Sequence, residues 1–370
     1  MSTSLDLGEL ARSFEVYPTS NPTSAEERAA ELRAPRFGTV FSDHMARITW
    51  NIDGGWRDRR VVEYGPLLLD PAAAVLHYAQ EIFEGLKAYR HADGSVWTFR
   101  PEANAARFRR SARRLALPEL STEDFIGSLV ALVRQDVDWV PDAEGFSLYL
   151  RPFMYASETF LGVRASHEVE YLVIASPVGS YFADGVKPVS IWIAQDYHRA
   201  GKGGTGAAKC GGNYAASLLP QIEAYEQGCE QVAFLDDVTE TYLEELGGMN
   251  LFVVKSDGTV ETPELTGTIL EGVTRSSILQ LARDRGHQVV ERKIALSELI
   301  AGIQDGSVAE VFACGTAAVI TPIGGFKSTD IDVTVADGGA GQLTMALREE
   351  LTGIQTGKVE DRYGWLTRLA

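Results

Sequence analysis

SPVGSYFADGVKP, residues Ser176 to Pro188, separates two regimes of sequence. Upstream, FSLYLRPFMY from Phe146 to Tyr155 alternates, so Tyr149 and Arg151 share one strand face while Leu148 and Leu150 share the other. Tyr171 to Ser176 reads as a second, more buried strand, after which glycine and proline abolish all periodicity. The break predicts an interdomain connection over 179–188. It divides the chain into a smaller α+β domain at 1–178 and a larger domain at 189–370.

Working outward, residues up to about Glu31 read as a polar leader outside the core. Strands are predicted near Ala46 to Trp50 and Val61 to Leu69. Asp70-Pro71 opens a helix, aspartate suiting the N-cap and proline the first helical position. A second helix starts near Pro101, and a third runs from Thr122 to Trp139. In the second half, strands at Gln231 to Leu235, Leu251 to Lys255 and Glu310 to Cys314 alternate with helices from Tyr214, Thr274 and Gln342. The fold class is α/β (α+β) in two domains, with no internal repeat.

At 370 residues and 45% hydrophobic composition the chain can bury two cores without staples. A net charge of −17 argues against nucleic acid or an anionic membrane as partner, because either needs a basic face. Cys210, Cys229 and Cys314 show no CxxC spacing, so no disulfide framework or zinc site is expected, and a reducing cytoplasm fits best. The amino terminus lacks a basic start followed by an apolar run, and no stretch elsewhere could span a bilayer.

The chain has eight lysines, and one stands apart. In GGTGAAKCGGNY, Gly203 to Tyr214, Lys209 lies between glycines whose missing side chains let a planar ligand approach the backbone. A lysine there can lose water and basicity, as a nucleophilic amine must. On glycine content alone, a surface loop with an incidental lysine is an equal reading.

Two turns could hold an anion. Gly272-Val273-Thr274 precedes RSSILQLARDRG, and Gly315-Thr316-Ala317 follows AEVFAC, each offering glycine, a hydroxyl and backbone amides. Arginines crowd RFRRSARRLAL, with Arg107, Arg110 and Arg114 on one helical face. Most are expected in solvent, but one guanidinium turned inward would suit a phosphate. The sequence does not choose which.

Several stretches together resemble the branched-chain amino acid aminotransferases, a subgroup of the fold-type-IV pyridoxal-phosphate enzymes: HYAQEIFEGLKAYR, NAARFRRSARRLALP, SLYLRPF, IASPVGSYF, GGTGAAKCGGNYAAS, EELGGMN, TPELTG, EVFACGTAAVITP and LTGIQTG. They run from about Phe37 to Trp365 in family order, and the wording is closest to actinobacterial members. The resemblance implies the two-domain fold-type-IV aminotransferase fold and pyridoxal 5'-phosphate as cofactor. It implies Lys209 as Schiff-base lysine and proton shuttle. Phosphate contacts would come from Arg107, Val273, Thr274 and Thr316, with Gly272 and Gly315 in the turns. Glu245 would face the pyridine nitrogen and Tyr214 the phenolic oxygen. Without the resemblance, Glu244 and Glu245 read as a solvated pair.

It also implies a substrate pocket of Phe41, Tyr78, Phe83, Tyr149, Arg151 and Tyr181, with Thr316 and Ala317 at the α-carboxylate. Aromatic walls suit leucine, isoleucine and valine, while Arg151 and tyrosines could hold the distal carboxylate of glutamate. The implied reaction is reversible ping-pong transfer between branched-chain L-amino acids and 2-oxoglutarate in a cytoplasmic homodimer, without metal. Lys202, Cys210 and Glu271 depart from the family's usual residues, and Ala318 and Thr321 occupy the places of a redox CxxC found in some relatives. Competing readings keep the cofactor for D-amino-acid transfer or lyase chemistry, or make the chain a non-enzymatic binding protein.

Overall fold

The computed structural model describes residues 6–179 and 185–370. The chain forms two compact units, one of Met1–Ala183, Ala208–Gly211 and Gly353–Ala370, the other of Asp184–Ala207 and Gly212–Thr352. The first therefore takes the greater share of the chain, where the sequence reading assigned the larger domain to 189–370. Hydrogen bonding explains the difference. Strand Leu366–Arg368 pairs antiparallel with Val96–Phe99, and the Lys209 peptide bonds to Phe83 and Ser111, so both segments join the first unit.

In the first unit the described residues form a nine-stranded sheet. Its centre is Ser147–Ala156 paired antiparallel with Glu168–Val178 over ten positions, from Ser147↔Val178 to Ala156↔Val169. The short strand Glu81–Phe83 and strand Leu86–Arg90 both lie against Ser147–Ala156. Helices Pro101–Arg114 and Thr122–Gln135 close the core, where Phe108 meets Phe125 at 5.5 Å and Tyr171 at 5.6 Å. These three rings are fully buried, each contributing about 2–3 kcal/mol of transfer free energy. Tyr171 keeps its hydroxyl bonded to Ser128 at 2.9 Å.

The second unit carries another nine-stranded sheet, mixed in direction, with Asn250–Lys255 between Val308–Gly315 and Val260–Pro263. Leu243–Leu246 lies at one edge, paired with Gln231–Leu235. Helix Val273–Asp284 buries Ile278, Leu281 and Ala282, as its apolar spacing requires.

Several local expectations need correction. The Asp70 carboxylate accepts from Ala72 N–H at 2.8 Å and so caps a turn; Ala73 then bridges Thr159, and the helix begins only at Ala74–Tyr78. The strand expected at 61–69 is Gly55–Glu63, paired with His44–Asn51. The leader forms helices Leu7–Arg12 and Ala25–Arg33, and Phe14 joins the core at 4% exposure. The helix expected from Tyr214 is split into Gly211–Ala215 and Leu218–Glu226.

Candidate functional site

In the first unit the backbone of Lys209 is held from both sides. Its N–H donates to Ser111 Oγ at 2.9 Å, and its carbonyl accepts from Phe83 N–H at 2.9 Å. Gly211 N–H donates to the Glu81 carboxylate, which burial pushes above the ordinary range against the pull of that bond and of Arg151. A Cβ on Gly211 would stand 2.3 Å from Glu81 Oε1, so the glycine is a condition of the clamp. The Lys209 Nζ lies 4.7 Å from the centre of the Phe83 ring, and the Arg151 guanidinium lies 4.8 Å from the same ring.

Phe83 lies at Lys209 Nζ, and Arg151 connects that ring to Tyr149. Arg151 Nη2 donates to the Tyr149 hydroxyl at 3.0 Å, while Arg151 Nε is buried with no partner among the described residues. A buried donor in that state invites an anion. Tyr149 is buried because Gly85 makes room: a Cβ there would meet its hydroxyl at 2.1 Å. Phe41 stacks on Tyr64 at 4.8 Å, and Tyr78 is 39% exposed at the end of its helix. Tyr181 lies outside the described residues.

Of the crowded arginines it is Arg107 that turns inward, at 4% exposure, while Arg110 and Arg114 are exposed. Its Nε and Nη2 grip Glu84 at 2.7 and 2.8 Å, and Asn104 Nδ2 adds a third bond to Glu84 at 2.8 Å. Burial pushes the Glu84 carboxyl up, yet Arg107, then Lys209 and Asn104, outweigh it and hold it below the ordinary range. Glu84 gave no signal in sequence; only its partners, some twenty residues on, explain it.

The second unit holds Glu245 in a different enclosure. Glu244 and Glu245 are each 4% exposed on strand Leu243–Leu246, not solvated. Strand alternation sends them to opposite faces. Glu245 pairs with Arg199 and accepts from Leu270 N–H at 2.7 Å, while Glu244 accepts from the Thr268 hydroxyl. Burial pushes Glu244 up. Arg199 Nη2 also donates to Gly206 O at 3.0 Å, and a Cβ on Gly206 would lie 2.2 Å from Thr268 O. One glycine of the lysine segment is thereby accounted for by close backbone packing.

Gly272 is the N-cap of helix Val273–Asp284 and brings no side-chain acceptor to it, with Thr274 in the first turn at 7% exposure. That geometry suits an anion, through oriented amides and the helix dipole. Gly315-Thr316-Ala317 is not a helix start: Gly315 pairs with Val319, which takes φ 64°, so these residues turn a hairpin. Thr316 is half-buried and Ala317 exposed there. Tyr214 is half-buried on Gly211–Ala215, Glu271 and Lys202 are exposed, and Cys210 is buried in the first unit's core. Among the described residues no three His, Cys, Asp or Glu side chains converge as for a metal, and no helix is long and apolar enough to cross a membrane.

The first unit thus presents a lysine over an aromatic ring, suited to an aldehyde, and the second presents a buried carboxylate and a glycine-capped helix N-terminus, suited to a basic nitrogen and to an anion. Residues 81–325 match the family model Amino-transferase class IV. The chain is 56% identical over 360 residues to the branched-chain-amino-acid aminotransferase of Mycolicibacterium smegmatis, covering 96% of this chain and 98% of that protein. It is 54% identical to the probable enzyme of that name from Streptomyces coelicolor, at 96% and 99% coverage. The solved branched-chain aminotransferase of the archaeon Thermoproteus uzoniensis with norvaline superposes with a TM-score of 0.72 at 28% identity, covering 88% of this chain and 100% of that one.

Proposed function

The chain belongs to the class IV aminotransferases and, within them, to the branched-chain-amino-acid aminotransferases; it is a pyridoxal-phosphate enzyme, and from that premise we propose the part each residue takes. It moves the amino group of leucine, isoleucine or valine to 2-oxoglutarate in two half-reactions. When bound, pyridoxal phosphate supplies an electron sink for the substrate α-carbon and stores the amino group between the halves.

Lys209 would hold the cofactor through its amine and would carry the proton at the substrate α-carbon. Its peptide, tied to Ser111 and Phe83, gives the amine a fixed base from which to swing. Glu245, ion-paired to Arg199, would keep the ring nitrogen protonated, and Tyr214 would bond the phenolic oxygen. The phosphate would take the amides at Gly272, Val273 and Thr274, with Arg107, Gly315 and Thr316 as further contacts. The observation that carries this reading is the placement of Lys209 Nζ at the Phe83 ring beside Arg151, itself bonded to Tyr149.

One pocket must accept an apolar and an acidic side chain in turn. Phe41, Tyr78, Phe83 and Tyr149 would supply apolar walls, and the buried Arg151 Nε a donor for the distal carboxylate. Ala317 and Thr316 would hold the α-carboxylate. The functional form is proposed to be a cytoplasmic homodimer. Exposed Leu68, Leu161 and Val163 support association, and three free, buried cysteines support a reducing compartment.

The test is chemical. Purified protein should be yellow, and borohydride should fix the cofactor to a peptide containing Lys209, with no label in Lys209→Ala. Label on another lysine, or faster turnover of D-alanine than of L-leucine, would refute the assignment.

A further inference from the structure

Asn250 stands where three features of the second unit meet. It opens strand Asn250–Lys255, and its backbone pairs with Cys314, the residue before the Gly315 turn. Its side chain is buried, with 6% exposure for the residue. Nδ2 donates to Leu270 O at 3.0 Å and reaches Glu245 Oε2 at 3.5 Å. Leu270 N–H in turn donates to Glu245 Oε1 at 2.7 Å. Oδ1 lies on the Gly272 backbone so closely that a Cβ there would come within 2.1 Å of it. One amide therefore touches both the carboxylate assigned to the ring nitrogen and the turn that leads into the phosphate helix.

We propose that Asn250 is a positioning residue that fixes the spacing between Glu245 and the 270–274 turn, and through that spacing the pose of the cofactor. The ring nitrogen and the phosphate are parts of one small molecule with a nearly constant separation, so the groups that receive them must keep a matching one. Glu245 and the helix start come from different segments of chain, and no single element holds both. The Leu270 N–H ties Glu245 to the start of the turn, and Asn250 braces that tie, donating to the turn's carbonyl and to the carboxylate while its oxygen rests on Gly272 beside the helix start. It touches no reacting atom. The inference rests on the assignment of Glu245 and of Val273-Thr274 to the cofactor.

The experiment uses full-length Asn250→Asp, Asn250→Ala and Glu245→Gln proteins. Asn250→Asp keeps the shape against Gly272 but loses both donated bonds, and it sets a second carboxylate beside Glu245. Three quantities are read: the dissociation constant of pyridoxal phosphate from the apoprotein, the visible circular dichroism of the bound cofactor, and the melting temperature of the apoprotein. The expected result is roughly ten- to hundredfold weaker binding in both Asn250 variants, with an altered dichroic band. Apo Asn250→Asp should melt within a few degrees of the parent.

Parent-like affinity and dichroism in Asn250→Asp overturn the proposal, even where the apo melting temperature falls, because that pattern describes a purely structural amide. Glu245→Gln separates the two levels. If it alters the band and the Asn250 variants do not, only the positioning role fails. If it leaves the band and the affinity unchanged, the Glu245 assignment itself fails.

Discussion

Glu84 shows how much one buried charge depends on its partners. Its carboxylate is fully enclosed and accepts from Arg107, Asn104 and, at 3.3 Å, the Gly85 N–H. In Glu84→Gln the amide keeps the volume but turns a donor toward a guanidinium that can only donate, and the two charge-assisted bonds between Arg107 and this carboxylate are lost. Breaking such a pair costs about 3–5 kcal/mol, and urea unfolding of the apoprotein should show a loss of that order. The sign with pH follows from the depressed Glu84 carboxyl. Its contribution is fully present above the ordinary carboxylate range and is lost as pH falls through the lowered folded value, so the gap between parent and variant should narrow in acid. A gap that widens in acid would show that Arg107 draws its balance from elsewhere.

At the scale of elements, alternation read the strand carrying Tyr149 and Arg151 to within a residue, because the face of Leu148, Leu150 and Met154 is wholly buried while Arg151 and Phe153 on the other are only half-buried. Strand Leu243–Leu246 was illegible. Glu244 and Glu245 read as solvated because their partners, Thr268 and Arg199, are 24 and 46 residues away, beyond any local periodicity. The register of that strand hangs on the turn before it. Asp236 accepts from Thr239, Thr241 and Tyr242 N–H at 2.8 to 2.9 Å, closing the chain back onto Gln231–Leu235. Burial raises the Asp236 carboxyl, but those backbone bonds prevail and lower it to about 2. Stability from this turn is therefore present above the unfolded value near 3.8 and fades as pH falls toward 2. Asp236→Ala should cost about 1–2 kcal/mol at neutral pH, after discounting for solvent screening, and almost nothing near pH 2. Denaturant midpoints across that range check it, and a pH-independent difference would assign the loss to shape rather than charge.

At the scale of the whole chain, the connection expected over 179–188 falls partly on 180–184, outside the described residues, and the return of the carboxyl-terminal segment to the first sheet had no signal in the sequence. Leu366–Arg368 is three residues long, and its partner Val96–Phe99 lies some 270 positions earlier, so only the folded backbone reveals the pairing. The return is firmly bonded. Leu369 is fully buried and donates to Val96 O at 2.7 Å, Ala370 O accepts from Val96 N–H at 3.0 Å, and Arg134 Nε donates to Leu369 O at 3.0 Å. Removing residues 366–370 takes away the buried leucine, worth about 2 kcal/mol, together with an edge strand whose bonds contribute about 1 kcal/mol each. A loss of roughly 3–5 kcal/mol should lower the melting temperature of the first unit by about 10 °C. Intrinsic fluorescence isolates that unit, since five of the six tryptophans, Trp50, Trp56, Trp97, Trp139 and Trp365, belong to it and only Trp192 to the second. The deletion should therefore shift the fluorescence-detected transition downward. An unchanged transition would mean that the edge pairing adds nothing to the stability of the unit that holds Lys209.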